Sequence, residues 1–127
     1  MQIKKKGFKA MGTKKKENTG IEYKGVNYKI EFNLNVMEEI QEEYGSVQKW
    51  GELTDGSDKE VDAKALKFGL TCMLNEGIEI YNEDHEEQRP LFTTKQVGRI
   101  ISEIGLLEAA SKVNNTVIES SKSDEKN

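Results

Sequence analysis

The 127-residue chain is poor in the residues that build covalent and metal chemistry, with one cysteine, one histidine and one proline. A single cysteine, Cys72, excludes an intramolecular disulfide, so we expect a reducing, cytoplasmic compartment. A single histidine, His85, leaves no pair of histidines for a metal. Together these two residues cannot form a closed structural zinc site within one chain.

Long apolar runs are also absent, since only 35% of the residues are hydrophobic. No run approaches the roughly 20 residues that a membrane-spanning helix needs. The basic start, residues 1–16, is not followed by the apolar stretch of about 7–15 residues that marks a secretory signal. We therefore expect a cytoplasmic protein with no signal peptide and no membrane contact.

Motifs for catalysis are missing as well. The sequence contains neither a glycine-rich phosphate loop nor a Gly-x-Ser-x-Gly nucleophile motif. His85 lies among acidic residues at 82–87, which favours a solvated loop over a metal ligand or catalytic base. Cys72 has no basic neighbour to lower its pKa, which favours a structural thiol. The acidic segment 55–60 lacks the spacing of a calcium loop. We predict no enzymatic activity, no cofactor and no metal site.

Charge is divided unequally along the chain. Residues 1–17 carry seven lysines and one acid, whereas residues 18–127 carry 12 basic and 22 acidic residues, so the two parts have net charges of +6 and −10. Residues 1–18 therefore form a basic arm that we expect to be disordered. An alternative is that the arm contacts an anionic partner through Lys4, Lys5, Lys6, Lys14, Lys15 and Lys16.

Hydrophobic periodicity predicts one domain, residues 19–120, followed by a disordered tail at 121–127. Apolar residues alternate along 20–32, which predicts a β-hairpin with its turn at Lys24-Gly25. Later segments have helical spacing. The expected fold is α+β, mainly α, with the hairpin packed on three to four helices. Gly69 and Gly77 in the long helix suggest close approach of a neighbouring helix.

The helices are predicted over about 33–44, 59–81, 93–104 and 107–117, with residues 46–53 as an irregular or helical connection. Asn33 is a candidate N-cap, Gly45 a candidate C-terminal stop, and Thr93 with Gln96 a capping box. Residues 94–114 resemble a helix-turn-helix in outline. The second helix offers one basic side chain, Lys112, so DNA reading by this segment is disfavoured.

Three aromatic residues are candidate anchors for a protein partner: Tyr44, Trp50 and Tyr81. Tyrosine and tryptophan are enriched among the residues that dominate binding energy at interfaces. Tyr44 and Trp50 flank Gly45 at the end of the first helix, so a corner of the hydrophobic core is the alternative interpretation for these two.

Residues 21–32 read Ile-Glu-Tyr-Lys-Gly-Val-Asn-Tyr-Lys-Ile-Glu-Phe, and residues 33–46 read Asn-Leu-Asn-Val-Met-Glu-Glu-Ile-Gln-Glu-Glu-Tyr-Gly-Ser. A long helix follows, then Leu-Phe-Thr-Thr-Lys-Gln-Val-Gly-Arg-Ile-Ile at 91–101 and a polar tail. In pattern and order, residues 20–120 resemble the small tail assembly chaperones of long-tailed phages and prophages of Gram-positive bacteria.

This resemblance implies a non-enzymatic helper in the cytoplasm of the bacterial host. Such chaperones bind the long helical tape measure protein before the tail tube polymerises, and they are absent from the mature virion. The resemblance supplies no residue-level binding site, and it leaves self-association open. The alternative function is a small nucleic-acid-associated or regulatory protein that acts through the basic arm.

Overall fold

The computed structural model describes residues 20–56 and 60–126, with side chains described as far as residue 122. A two-stranded hairpin, β1 (Gly20–Tyr23) and β2 (Val26–Lys29), precedes the helices α1 (Leu34–Tyr44), α2 (Val47–Thr54), α3 (Ala63–Asp84), α4 (Thr94–Ile104) and α5 (Leu106–Lys126). This confirms the α+β, mainly α prediction. The described part has five helices because the connection after Gly45 forms a helix of its own, α2.

The hairpin has the turn that the sequence predicts. β1 and β2 pair antiparallel, with Tyr23 opposite Val26. Lys24 and Gly25 have φ angles of 51° and 79°, both in the left-handed region. Positive φ at both central residues is the type I′ arrangement, whose twist matches that of the flanking strands. Ile21 is buried at 1% exposure, so one face of the hairpin packs onto the core.

The central element is α3, which packs against β2 and all four other helices. A helix that contacts neighbours on several sides must bury more than one stripe of its surface. Its buried residues occur in consecutive pairs along four turns: Ala65, Leu66, Gly69, Leu70, Met73, Leu74, Gly77 and Ile78.

Two glycines allow the neighbours to come close to α3. A Cβ atom on Gly69 would collide with the Trp50 ring of α2, as the sequence predicts for a neighbouring helix. A Cβ atom on Gly77 would collide with the carbonyl oxygen of Lys29, so here the neighbour is the hairpin and not a helix. The backbone N–H of Glu31 donates to the Met73 carbonyl at 3.2 Å and fixes the hairpin on α3.

Local hydrogen bonds mark the helix ends. The Asn33 side chain accepts from the Val36 N–H at 3.3 Å. Thr93 and Gln96 form the reciprocal capping box, at 3.1 Å and 2.8 Å. Gly45, with φ 90°, ends α1. The predicted caps are therefore confirmed, since each depends on residues within four positions of one another.

The last helix is longer than predicted. α5 continues to Lys126, whereas the composition of residues 121–127 predicts a disordered tail. The segment 106–126 has neither glycine nor proline, so no residue in it interrupts a helix. An ion pair between Glu119 and Lys122, at 3.9 Å, joins successive turns. The predicted disordered arm, residues 1–18, lies outside the described residues.

Replacing Gly77 with alanine tests the close approach of the hairpin. We expect Gly77→Ala to lower the free energy of unfolding by about 2 kcal/mol or more, because the added methyl group meets backbone, which cannot rotate away. Gly51→Ala is the matched control, because nothing lies within 4 Å of a Cβ atom there. That change should raise the free energy of unfolding by up to about 1 kcal/mol, the helix preference for alanine. Urea denaturation measures both, and equal effects would contradict the packing described.

Candidate functional site

The described residues provide no arrangement typical of a catalytic centre. No group of three or more histidine, cysteine or acidic residues in this part could hold a metal ion. Burial raises the pKa of the Cys72 thiol, and a hydrogen bond to the Glu39 carboxylate raises it further. A raised pKa keeps the thiol protonated near neutral pH and therefore weakens it as a nucleophile.

The candidate binding site is an open groove of about 400 Å³ between α1, α3 and the segment before α4. We call it the acidic groove. Its lining contains four glutamates and no basic residue, and consists of Asn35, Glu38, Glu39, Phe68, Thr71, Cys72, Asn75, Glu76, Glu79, Leu91 and Thr94. Residues three and four apart lie on one face of a helix, so the groove is formed by one face each of α1 and α3.

Glu76 holds the two walls of the groove together. Its carboxylate accepts hydrogen bonds from the side-chain amides of Asn33 and Asn35, at 2.9 Å and 3.1 Å. These residues belong to the start of α1, where the helix dipole also favours a negative charge. Asn75, on the adjacent position of α3, donates to the carbonyl of Phe92 at 2.9 Å and accepts from its N–H at 2.8 Å. The hydrogen bonds of two neighbouring residues thus fix both sides of the groove relative to α3.

The carboxylates of the groove lack cationic partners within the described part of the chain. Glu38 and Glu79 are exposed, and neither they nor Glu39 and Glu76 form an ion pair with a described residue. The ion pairs found there lie elsewhere, such as Lys29–Glu31 at 3.5 Å. Four carboxylates on one concave surface produce a negative potential that attracts a cationic ligand.

The remaining lining is partly apolar. Phe68 is half-buried and packs edge-on against the Tyr44 ring, with centroids 5.7 Å apart. Leu91, on the opposite side, is 48% exposed. The half-buried Cys72 lies in the same lining. The groove therefore combines apolar contact area with a negative rim, which suits an amphipathic and basic ligand.

The three predicted anchors have different environments. Trp50 is 1% exposed and donates its indole N–H to the Ala65 carbonyl at 2.9 Å, so it is a core residue and its assignment as a partner anchor is wrong. Tyr44 is half-buried beside the groove, where burial, Asp62 and Glu43 raise its pKa. Tyr44 thus touches a lining residue, Phe68, without lining the groove itself.

Tyr81 lies away from the groove, between two cationic or polar side chains. The His85 ring stacks on it at 3.7 Å, nearly parallel, and the Arg89 guanidinium lies 3.7 Å from its ring centroid. Side chains of the same chain therefore contact both faces of the Tyr81 ring. The Arg89 group also contacts the Tyr28 ring, 5.3 Å from its centroid, so Tyr81 helps to join α3 to the hairpin.

The acidic groove is not predicted from the sequence. The spacing of Asn35, Glu38 and Glu39 on one helix face, and of Glu76 and Glu79 on another, was visible in the sequence. What was not visible is that these two faces meet. The arm lysines Lys4, Lys5, Lys6, Lys14, Lys15 and Lys16 lie outside the described residues.

Comparison with known proteins yields no relative: no protein-family model, no curated protein and no solved structure matches this chain. In the described part, no helix is both long enough and apolar enough to cross a membrane.

The reactivity of Cys72 tests the environment of the groove. Because the thiolate is the reactive form, we expect its reaction with a disulfide reagent to keep accelerating above about pH 9, where an ordinary thiol with a pKa of about 8.5 levels off. Glu39→Gln removes one cause of the raised pKa, so the increase in reaction rate should occur at lower pH. Glu42→Gln, an exposed carboxylate on the same helix, should leave the profile unchanged. A native profile centred near pH 8.5 would contradict this environment.

Proposed function

We propose that the protein is a non-enzymatic tail assembly chaperone that binds the tape measure protein of a long-tailed phage. The observation that carries the proposal is the acidic groove with its partly apolar lining. The resemblance of residues 20–120 to this chaperone family supplies the identity of the client. As part of the proposal, the protein acts in the cytoplasm of the bacterial host and is absent from the mature virion.

The dimensions of the groove suit a helical client. Its lining on α3 extends from Phe68 to Glu79, which is about 17 Å along a helix axis, or three turns. An amphipathic helix binds such a groove by placing apolar side chains on its floor at helical spacing. Lysine or arginine side chains flanking that apolar stripe would meet the carboxylates of the rim, which favours fast and selective association.

The charge of the domain supports a chaperone function in a second way. After residue 17 the chain has a net charge of −10. A strongly charged carrier resists self-aggregation and keeps an apolar client in solution. The same negative charge disfavours nucleic acid as the ligand of this domain, because phosphate is repelled.

Binding of the tape measure protein through the groove is testable with two matched leucines. Leu91 is 48% exposed in the groove, and Leu107 is 73% exposed on α5, outside it. We expect Leu91→Ser to weaken binding at least about tenfold, which corresponds to about 1.4 kcal/mol. Leu107→Ser should leave the affinity unchanged. Co-expression with the tape measure protein of the same genome, followed by titration of the purified proteins, measures both effects.

Two results would overturn the proposal. In the first, the tape measure protein remains equally soluble and unbound with and without this chain. In the second, the two leucine variants bind equally, which would place any client outside the groove. Retardation of DNA by the protein at physiological salt, without client binding, would instead favour the alternative function of the basic arm.

A further inference from the structure

The groove carboxylates have no cationic partner among the described residues, yet the chain itself carries a concentrated source of positive charge. Lys4, Lys5, Lys6, Lys9, Lys14, Lys15 and Lys16 precede a domain in which acidic residues outnumber basic ones by 22 to 12. An acidic surface and a basic segment on one chain attract each other. We propose that residues 4–16 of the same chain occupy the acidic groove when no client is bound.

The point at which the arm joins the domain lies beside the groove. β1 begins at Gly20, which pairs with Lys29, and the carbonyl of Lys29 lies against Gly77. Gly77 follows Glu76, a lining residue of the groove. Antiparallel neighbours are about 5 Å apart, so the arm starts about one strand spacing from Lys29, whose carbonyl contacts Gly77.

The arm is also long enough. The four residue-to-residue steps from Lys16 to Gly20 can span about 13 Å, and the thirteen residues of 4–16 can span more than 40 Å. The groove is about 17 Å long on α3. Chain length therefore does not prevent the lysines from reaching either end of the groove.

The chemistry of the arm matches both parts of the lining. Its lysines complement the carboxylates of Glu38 and Glu79, and Phe8 and Met11 offer apolar contacts for Phe68 and Leu91. Single surface ion pairs are worth little. The covalent connection compensates, because a short linker gives an effective concentration in the millimolar range, so that even a weak contact is populated.

The arm would then occupy the binding site of the client, and a client would have to displace the arm in order to bind. This regulation rests on the proposed function for its biological meaning, because it concerns the same groove. The contact between arm and groove can be tested separately, on the full chain and without any client.

Zero-length carbodiimide crosslinking, which joins lysine amines directly to carboxylates, is the first test. Equal amounts of ¹⁴N- and ¹⁵N-labelled full-length protein are mixed, crosslinked and mapped by mass spectrometry. We expect arm lysines to be joined to Glu38 and Glu79 of the same chain about fivefold more often than to Glu86 and Glu87, the enrichment that two surface ion pairs would produce. Glu86 and Glu87 are also exposed, and they lie outside the groove.

Paired variants provide the second test. Glu38→Gln with Glu79→Gln removes two charges from the groove, and Glu86→Gln with Glu87→Gln removes two charges elsewhere. The amide NMR signals of residues 4–16 should shift in the groove variant and remain unchanged in the control. Addition of 1 M sodium chloride to the unmodified protein should reproduce the shift, because salt screens exposed charges.

Crosslinks distributed evenly over all acidic residues would overturn the inference. So would crosslinked products of which about half join a heavy to a light chain, the share that random pairing between two copies produces. The second pattern would place the arm in the groove of another copy. A protein whose arm maps to the groove but which fails to bind the tape measure protein would overturn the proposed function alone. Client binding that depends on Leu91, without arm contacts in the groove, would overturn this inference alone.

Discussion

The packing of the domain depends on how closely its other elements approach α3, and two glycines of α3 make that approach possible. The Trp50 ring occupies the space that a side chain at position 69 would need, and the end of β2 occupies the space at position 77. The Trp50 indole N–H then reaches the carbonyl of Ala65. Tight packing of this kind tolerates little added volume, so these positions couple the hairpin, α2 and α3 into one core.

The acidic groove follows from that arrangement. Once the hairpin and α2 occupy their faces of α3, the face that carries Glu76 and Glu79 remains for α1 and the segment before α4. Hydrogen bonds from Asn33 and Asn35 to Glu76 satisfy one carboxylate and orient α1. The carboxylates of Glu38 and Glu79 are left facing solvent, and that of Glu39 contacts the Cys72 thiol. The groove is thus preformed by the core, which reduces the ordering cost of binding a ligand there.

The candidate site could be predicted only in part. The excess of acidic residues in the domain and the lysines of the basic arm are both properties of composition. Trp50 illustrates the limit: a tryptophan beside a helix end is compatible with a core corner or with an exposed anchor. The difference depends on whether another element covers it, and the glycine that accommodates its ring is 19 positions further along the chain.

The sequence by itself determined the class of fold and the local features. The turn at Lys24-Gly25, the cap at Asn33 and the capping box of Thr93 and Gln96 depend on residues within four positions, whose backbone preferences act before any tertiary contact forms. Only the tertiary structure decided which helix faces meet, because that choice depends on contacts between distant residues, such as Asn33 and Glu76, 43 positions apart. The groove exists at such a meeting of faces, and periodicity within one helix cannot identify its partner.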